Sequence, residues 1–199
     1  MTVLLVHGGL WDDEDTESFW DRPGVLAALR EHTDVLAPDR PRNADSWAAE
    51  GAWLAGLVTT PMTVVAGSYG CSAAVRFAVA RPELVERLVL AWPATAHDPG
   101  VDELTRTVLA GLGAAPAVID GLLAGETQRG VTDDELRRLD MPLAVVPCVP
   151  ANRTHQRRTV DALLALTGAV ELPGCPEPPR PGFQPAGFVN SIVQFGLSR

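Results

Sequence analysis

The fold is decided by the stretch Val64-Val65-Ala66-Gly67-Ser68-Tyr69-Gly70-Cys71-Ser72-Ala73-Ala74. A short β-branched run ends in small residues, a serine follows, and an Ala-rich helical stretch comes next. Ala66 and Gly70, two positions on either side of Ser68, are small enough for a very sharp strand-to-helix turn, in which larger side chains would collide. Such a turn holds Ser68 at the end of a sheet, above the N–H groups and positive dipole end of the next helix. The stretch therefore predicts a nucleophilic serine beside an anion-stabilising helix start.

A second motif precedes it, the apolar strand Val3-Leu4-Leu5-Val6 followed by His-Gly-Gly. Together, in this order and on strand ends, the two motifs resemble the nucleophile elbow and the oxyanion-hole loop of the α/β-hydrolase family. The resemblance implies that the oxyanion is held by the backbone N–H group of Gly9 or Leu10 and by that of Tyr69. The predicted oxyanion loop and its neighbours are His7, Gly8, Gly9, Leu10 and Tyr69.

Composition describes an ordinary globular chain. It has 199 residues, 46% of them hydrophobic and 21% charged, and a net charge of −9 with a pI near 4.8. We therefore expect neither nucleic acid nor membrane as a partner, but a small-molecule substrate, with a homodimer left open. The chain opens on a core strand, without the basic and apolar regions of a secretory leader. Three cysteines, an odd number without framework spacing, favour a reducing cytoplasm.

Six continuous apolar runs alternate with helical stretches, which predicts an α/β fold with a doubly wound, parallel sheet buried on both faces. We expect one domain over residues 1–199 with about six strands, of the α/β-hydrolase type. The predicted strands are Thr2–Val6, Asp34–Ala37, Met62–Ala66, Arg87–Ala91, Pro142–Val146 and Ala169–Leu172. The predicted helices outside the insertion are Ser18–His32, Asp45–Leu57, Gly70–Ala80, Thr154–Leu166 and Pro185–Phe195.

One insertion, residues 95–140, separates the fourth and fifth strands, where the resemblance implies a lid. Leu104, Val108, Leu109 and Leu112 have helical spacing, a second helix is expected over Ala115–Leu123, and Thr132 with Glu135 forms a capping box for a third. The sequence therefore predicts a small lid of three short helices over the active-site end. No apolar patch is evident on it from the sequence.

The catalytic base that the resemblance implies is missing. It would lie on the loop after the last strand, residues 172–183, but that loop contains no histidine and the expected position falls on Glu177 and Pro178. We rank His155, at a helix start beyond the fifth strand, above His97 as the replacement base. Asn152 occupies the place of the acid, although an amide cannot stabilise an imidazolium by charge. Glu177 is a further candidate base, but a weak one if exposed.

Several other side chains have two readings. Trp92, at the end of the fourth strand, either lines the pocket or belongs to the core. Arg40 and Arg42 either contact a substrate carboxylate or form surface salt bridges. The acidic run from Trp11 to Glu17 could hold a cation, but consecutive carboxylates more often form a solvated stretch, so we expect no metal and no cofactor. Such an acidic rim would discourage anionic substrates.

These observations predict a serine hydrolase-like protein that attacks a small neutral ester or acyl compound through Ser68. The missing base keeps open a non-hydrolytic protein of the same fold, which would bind a small molecule or perform lyase, isomerase or cyclase chemistry. A purely structural or regulatory partner is the third possibility. Sensitivity to substitution of Ser68 distinguishes the first from the others.

Overall fold

The computed structural model describes residues 2–11 and 14–197. Within them, the six predicted strands form one entirely parallel sheet in the order β2-β1-β3-β4-β5-β6. This confirms the predicted fold class, and the reversal of strand order at β1 and β3 brings Ser68 to a topological switch point. The strands are β1 (Thr2–Val6), β2 (Asp34–Leu36), β3 (Met62–Gly67), β4 (Val85–Ala91), β5 (Leu143–Val146) and β6 (Val170–Glu171).

Eight α-helices connect or flank these strands in the described part of the chain. They are α1 (Val25–Arg30), α2 (Trp47–Leu57), α3 (Gly70–Ala80), α4 (Pro99–Gly111), α5 (Pro116–Leu123), α6 (Asp133–Arg137), α7 (Arg157–Thr167) and α8 (Pro185–Leu197), and a 3-10 helix spans Pro82–Leu84. The helix predicted over Ser18–His32 is divided into a π-helical turn, Glu17–Asp21, and α1. Pro23 and Gly24 separate them, because Gly24 has a left-handed φ of +85° that interrupts a helix.

The central strands are buried on both faces, which explains their continuous apolar sequences. Leu4 and Val64 face a core formed with α2, α3, α7 and the insertion. Val3 and Val65 face a second core formed with α1 and α8. Helices cover both faces of the sheet. Polar side chains of different loops can therefore meet at the edge where the carboxyl ends of the strands lie.

The insertion contains α4, α5 and α6. Thr132 and Glu135 exchange side-chain and backbone hydrogen bonds in the predicted capping box at the start of α6. Leu109 is buried, whereas Leu104 and Val108 of α4, and Leu112 directly after it, are partly exposed. The exposed leucines and valine form an apolar stripe on the insertion, although the sequence made no such patch evident. Only Leu109 of the periodic set faces the core.

In the described ranges, none of the helices has the length and apolar character needed to span a bilayer.

Candidate active site

Ser68 lies between β3 and α3 in a strained backbone conformation. Its φ is +51°, a region that costs a non-glycine residue about 1–3 kcal/mol. The turn is fixed on one side by a hydrogen bond from the N–H of Ser68 to the carbonyl oxygen of Ala91 (2.9 Å). On the other side, a Cβ atom on Gly70 would lie 2.3 Å from the carbonyl oxygen of His7. The small residue at position 70 therefore lets the start of α3 approach the oxyanion loop closely.

His155 is brought to Ser68 by the loop between β5 and α7. Its Nε2 lies 2.9 Å from Oγ of Ser68, although the two residues are 87 positions apart in the chain. The ring is oriented by a local turn, in which the N–H groups of Thr154 and His155 donate to Oδ1 of Asn152 (2.9 and 3.0 Å). Burial, with a smaller contribution from Arg180, lowers the pKa of His155 to about 4. The imidazole is therefore neutral near pH 7, as a general base must be.

Glu177 reaches the same imidazole from the loop that follows β6. Its Oε2 lies 3.4 Å from Nδ1 of His155, and only 12% of its side chain is exposed. Burial raises the pKa of Glu177 to about 7, against the opposing effects of the Ser68 hydroxyl and the Arg180 guanidinium. The sequence-based concern about an exposed carboxylate is therefore wrong, since this carboxyl group is enclosed and titrates near neutrality.

Two neighbours compete for Nδ1 of His155. Nδ2 of Asn152 lies 3.3 Å away and donates, which leaves the ring proton on Nε2. An ionised Glu177 accepts instead, which draws the proton to Nδ1 and leaves Nε2 free to accept from Ser68. Ionisation of Glu177 thus selects the tautomer in which His155 can remove the serine proton.

Arg40 binds the carbonyl groups of the oxyanion loop. Nη1 of Arg40 donates to the carbonyl oxygens of His7 (3.0 Å), Gly8 (2.8 Å) and Gly9 (3.0 Å). The carbonyl and N–H of a trans peptide point in opposite directions, so the N–H groups of Gly9 and Leu10 point away from Arg40. Arg40 is buried and paired with Glu50 (2.7 Å), so the expected surface position is wrong.

The His7 side chain links this loop to the backbone of Arg40 through hydrogen bonds. Its Nδ1 donates to the carbonyl oxygen of Gly8 (2.8 Å), and its Nε2 accepts from the backbone N–H of Arg40 (2.9 Å). Burial and the charge of Arg40 lower the pKa of His7 to about 4. Gly8 is required for packing, because a Cβ atom there would lie 2.4 Å from the Phe19 ring.

Two of the predicted site residues lie elsewhere. Trp92 is completely buried, stacks on Phe188 at 4.9 Å and donates to the carbonyl oxygen of Cys175, so it belongs to the core and not to a pocket wall. His97 is directed into the insertion, where its Nε2 bonds to the carbonyl oxygen of Gly125 (2.7 Å). This hydrogen bond turns the His97 ring toward the insertion.

The acidic run after the oxyanion loop is only partly described, since Asp12 and Asp13 lie outside the described residues. Asp15 accepts hydrogen bonds from the backbone N–H and the hydroxyl of Ser18. Within residues 2–11 and 14–197, no group of three or more acidic, histidine or cysteine side chains could hold a metal ion. The described part of the run behaves as a local turn.

Comparison with solved structures supports the fold. A variant of a meta-cleavage product hydrolase has a TM-score of 0.72 at 16% identity, with 98% of this chain and 90% of that chain covered. An esterase from Thermogutta terrifontis has a TM-score of 0.69 at 20% identity over 98% and 89%. The N-formylmaleamic acid deformylase of Pseudomonas putida S16 has a TM-score of 0.65 at 17% identity over 96% and 91%. The chain has the α/β-hydrolase fold.

No protein-family model matches the chain, and no curated protein sequence matches it significantly.

Proposed function

We propose that this protein hydrolyses a small ester or related acyl compound through an acyl intermediate on Ser68. The observation that carries the proposal is the 2.9 Å contact between Oγ of Ser68 and Nε2 of His155, at a serine held with positive φ above the start of α3. The structural neighbours are named as an esterase, a meta-cleavage product hydrolase and a deformylase, which supports a hydrolytic reaction.

In this reaction His155 removes the proton of Ser68 while the hydroxyl oxygen attacks the carbonyl carbon. Negative charge moves to the carbonyl oxygen, where the N–H groups of Gly9 or Leu10 and of Tyr69 stabilise it. Ionised Glu177 holds the imidazolium by charge. The imidazolium then protonates the leaving alcohol, and a water molecule activated by the same imidazole cleaves the acyl-serine.

Labelling with a fluorophosphonate probe, mapped by mass spectrometry, tests this proposal. We expect an adduct on Ser68 in the wild-type protein and in His97→Ala, no adduct in Ser68→Ala, and a labelling rate in His155→Ala about 10²- to 10⁴-fold lower. His97 is the matched control because its ring is held in the insertion. Folded wild-type protein without an adduct would overturn the proposal.

One observation favours a non-hydrolytic alternative. Because the pKa of Glu177 is near 7, part of the population holds a protonated carboxyl group next to Nδ1 of His155. In that state, Nε2 carries the ring proton and the Ser68–His155 pair can donate a hydrogen bond or a proton to a bound carbonyl compound. A protein that binds such a compound without labelling at Ser68 would match this alternative.

A further inference from the structure

Two cysteines are paired across the loops that carry the base and the acid. Cys148 lies on the loop after β5, and Cys175 lies on the loop after β6. The N–H of Val149 donates to the carbonyl oxygen of Cys175 (3.1 Å), and the N–H of Cys175 donates to that of Pro147 (3.2 Å). Cys148 and Cys175 are therefore partners in a parallel bridge, and both are free thiols in this structure.

This pairing satisfies the backbone spacing that a disulfide needs. Neighbouring strands lie about 4.7–4.9 Å apart, and disulfides join Cα atoms that are about 4.4–6.8 Å apart. Both side chains lie on the same face of the sheet, since Cys148 belongs to the core formed with α1 and α8 and Cys175 packs against that core. The third cysteine, Cys71, is buried in the core on the opposite face, so it does not compete for either thiol.

A small oxidant can reach Cys175 from solvent. This side chain is partly buried and lines a cavity of about 280 Å³ together with Val149, Pro176 and Gly182. Cys148 is only 5% exposed, so Cys175 is the thiol that meets an oxidant first. Burial raises the pKa of Cys175 to about 11 and also raises the pKa of Cys148. The attacking thiolate is therefore scarce near pH 7 and becomes about tenfold more abundant with each pH unit.

Cys148 contacts the amide that competes for the catalytic imidazole. Its Sγ accepts from Nδ2 of Asn152 (3.3 Å), and the same Nδ2 lies 3.3 Å from Nδ1 of His155. A hydrogen bond from the backbone of Glu177 reaches the same sulfur. Asn152 thus divides its two N–H donors between the thiol and the imidazole, so a change at the thiol alters the contact that determines the position of the His155 proton.

We propose that Cys148 and Cys175 form a reversible disulfide that holds the ring proton of His155 on Nε2, so that oxidation turns the site off. A hydroperoxide is the oxidant. The thiolate of Cys175 attacks a peroxide oxygen, the O–O bond breaks, an alcohol leaves and a sulfenic acid forms. The thiol of Cys148 then attacks that sulfur, and its proton leaves with the hydroxyl group as water. Two electrons pass from the two sulfurs to the peroxide, and a dithiol reverses the reaction.

The bond changes the contacts of Asn152. A disulfide needs its sulfur atoms about 2.0 Å apart, so Sγ of Cys148 turns toward Cys175 and leaves Nδ2 of Asn152. That amide keeps its contact with Nδ1 of His155, and the ring proton stays on Nε2, which then cannot accept the proton of Ser68. The effect on hydrolysis rests on the proposed function, whereas the bond and the position of the ring proton do not.

Intact mass and tryptic mapping test the bond. The three cysteines fall on different tryptic peptides, because arginines separate them in the sequence. We expect native protein treated with tert-butyl hydroperoxide at about pH 8.5 to lose about 2 Da and to give one peptide pair joined through Cys148 and Cys175, which dithiothreitol separates. Cys175→Ala and Cys148→Ser should each give no joined pair. Native protein that gives only an oxygen adduct on Cys175, or no change, would overturn the proposal.

Nitrogen-15 NMR of the His155 ring tests the effect on the base. At about pH 8, where Glu177 is ionised, we expect the ring proton on Nδ1 in the reduced protein and on Nε2 in the oxidised protein. In Cys175→Ala, which keeps the contact between Cys148 and Asn152, the oxidant should leave the ring signals unchanged. A disulfide-bonded protein with unchanged ring signals would contradict the inference.

Activity of the same samples separates this inference from the proposed hydrolysis. On oxidation, kcat/KM for 4-nitrophenyl butyrate should fall about 3- to 10-fold, the range for the loss of one hydrogen bond, and it should return with dithiothreitol. Oxidant should not change the rate of Cys175→Ala. A shift of the ring proton in a protein that hydrolyses no ester when reduced would support this inference and contradict the hydrolase. Hydrolysis at an equal rate in the reduced and disulfide-bonded forms would contradict this inference alone.

Discussion

Nδ1 of His155 and Oε2 of Glu177 lie 3.4 Å apart. The histidine lies on the loop where an acid was expected, and the acid lies on the loop where a histidine was expected. The resemblance to α/β-hydrolases implied a histidine after the last strand and an acid after the strand before it. Here the histidine follows β5 and the carboxylate follows β6. Because β5 and β6 are neighbours in the sheet, the exchange keeps the imidazole between the serine and a carboxyl group.

The activity should depend on pH through Glu177. With pKa values of about 4 for His155 and about 7 for Glu177, the base is neutral over the whole range in which the carboxyl group ionises. We expect kcat/KM for a neutral ester to rise between about pH 6 and about pH 8 as Glu177 loses its proton. In Glu177→Gln this rise should disappear and the plateau should fall. A profile that is flat through pH 7 in the wild type would contradict the role of Glu177.

Replacing Asn152 by aspartate should relieve this dependence. Oδ1 of residue 152 would still accept from Thr154 and His155, so the turn survives, while a donor facing Nδ1 becomes an acceptor. We expect Asn152→Asp to raise kcat/KM severalfold at about pH 6, where wild-type Glu177 is mostly protonated. Asn152→Ala, which removes the turn contacts as well, should lower it. An unchanged rate at low pH in Asn152→Asp would show that tautomer selection is not limiting.

The free energy of unfolding should depend on pH through three buried groups, His7, His155 and Glu177. Between about pH 4.5 and 6.5, unfolding takes up one proton at each of His7 and His155, whose pKa values are lowered in the fold, and releases one at Glu177, whose pKa is raised. Stability due to these groups should therefore increase with pH by about 1.4 kcal/mol per unit, the value for one net proton.

In Glu177→Gln no proton is released on unfolding to offset the two taken up by His7 and His155. The slope of the unfolding free energy against pH should therefore double. Denaturant titrations at several pH values measure it, with Glu86→Gln, an exposed change on β4, as the control expected to follow the wild type. Equal slopes in Glu177→Gln and the wild type would contradict the burial of a protonated Glu177.

Arg40 should act on the reaction through the oxyanion loop. Arg40→Met removes the donor to three consecutive carbonyl groups and leaves Glu50 buried without its partner, so we expect a loss of stability of about 3–5 kcal/mol. The double change Arg40→Met/Glu50→Leu avoids the unpaired charge and should recover much of that stability. It should still have a reduced kcat with little change in KM. Full recovery of kcat in the double variant would contradict a positioning role for Arg40.

A glycine-to-alanine substitution can test the close contact between α3 and the oxyanion loop. Gly70→Ala introduces a Cβ atom 2.3 Å from the carbonyl oxygen of His7, so the loop and the helix must separate. We expect a loss of labelling at Ser68 together with a lower Tm. Gly56→Ala, near the end of α2 with no atom within 4 Å of the new Cβ, should keep activity and raise stability by up to about 1 kcal/mol.

The sequence was sufficient for the sheet because its strands are buried on both faces and read as continuous apolar runs. It also ranked His155 above His97 as the replacement base, because His155 lies at a helix start on the active-site edge, and the structure places its Nε2 2.9 Å from Oγ of Ser68. It could not predict the enclosure of Glu177, because burial of a proline-rich loop depends on how that loop folds back over the sheet.

The expectation of a surface salt bridge for Arg40 was wrong for a related reason. Arg40 is an ordinary polar residue in a local window, and its burial depends on its pairing with Glu50 on the following helix and on its contact with the oxyanion loop. Trp92 was left between two readings because a strand end can face either the core or the loops. Its contact with Phe188, nearly a hundred positions away, decides for the core.

The distribution of Ser68, His155 and Glu177 over the ends of β3, β5 and β6 has a consequence for folding. No contiguous fragment shorter than about half the chain contains all three, and none of them meets another until the parallel strands between them have paired. Long-range parallel pairing forms slowly compared with local helices. Recovery of labelling at Ser68 during refolding should therefore lag behind recovery of helical circular dichroism, which makes the probe a specific reporter of the completed sheet.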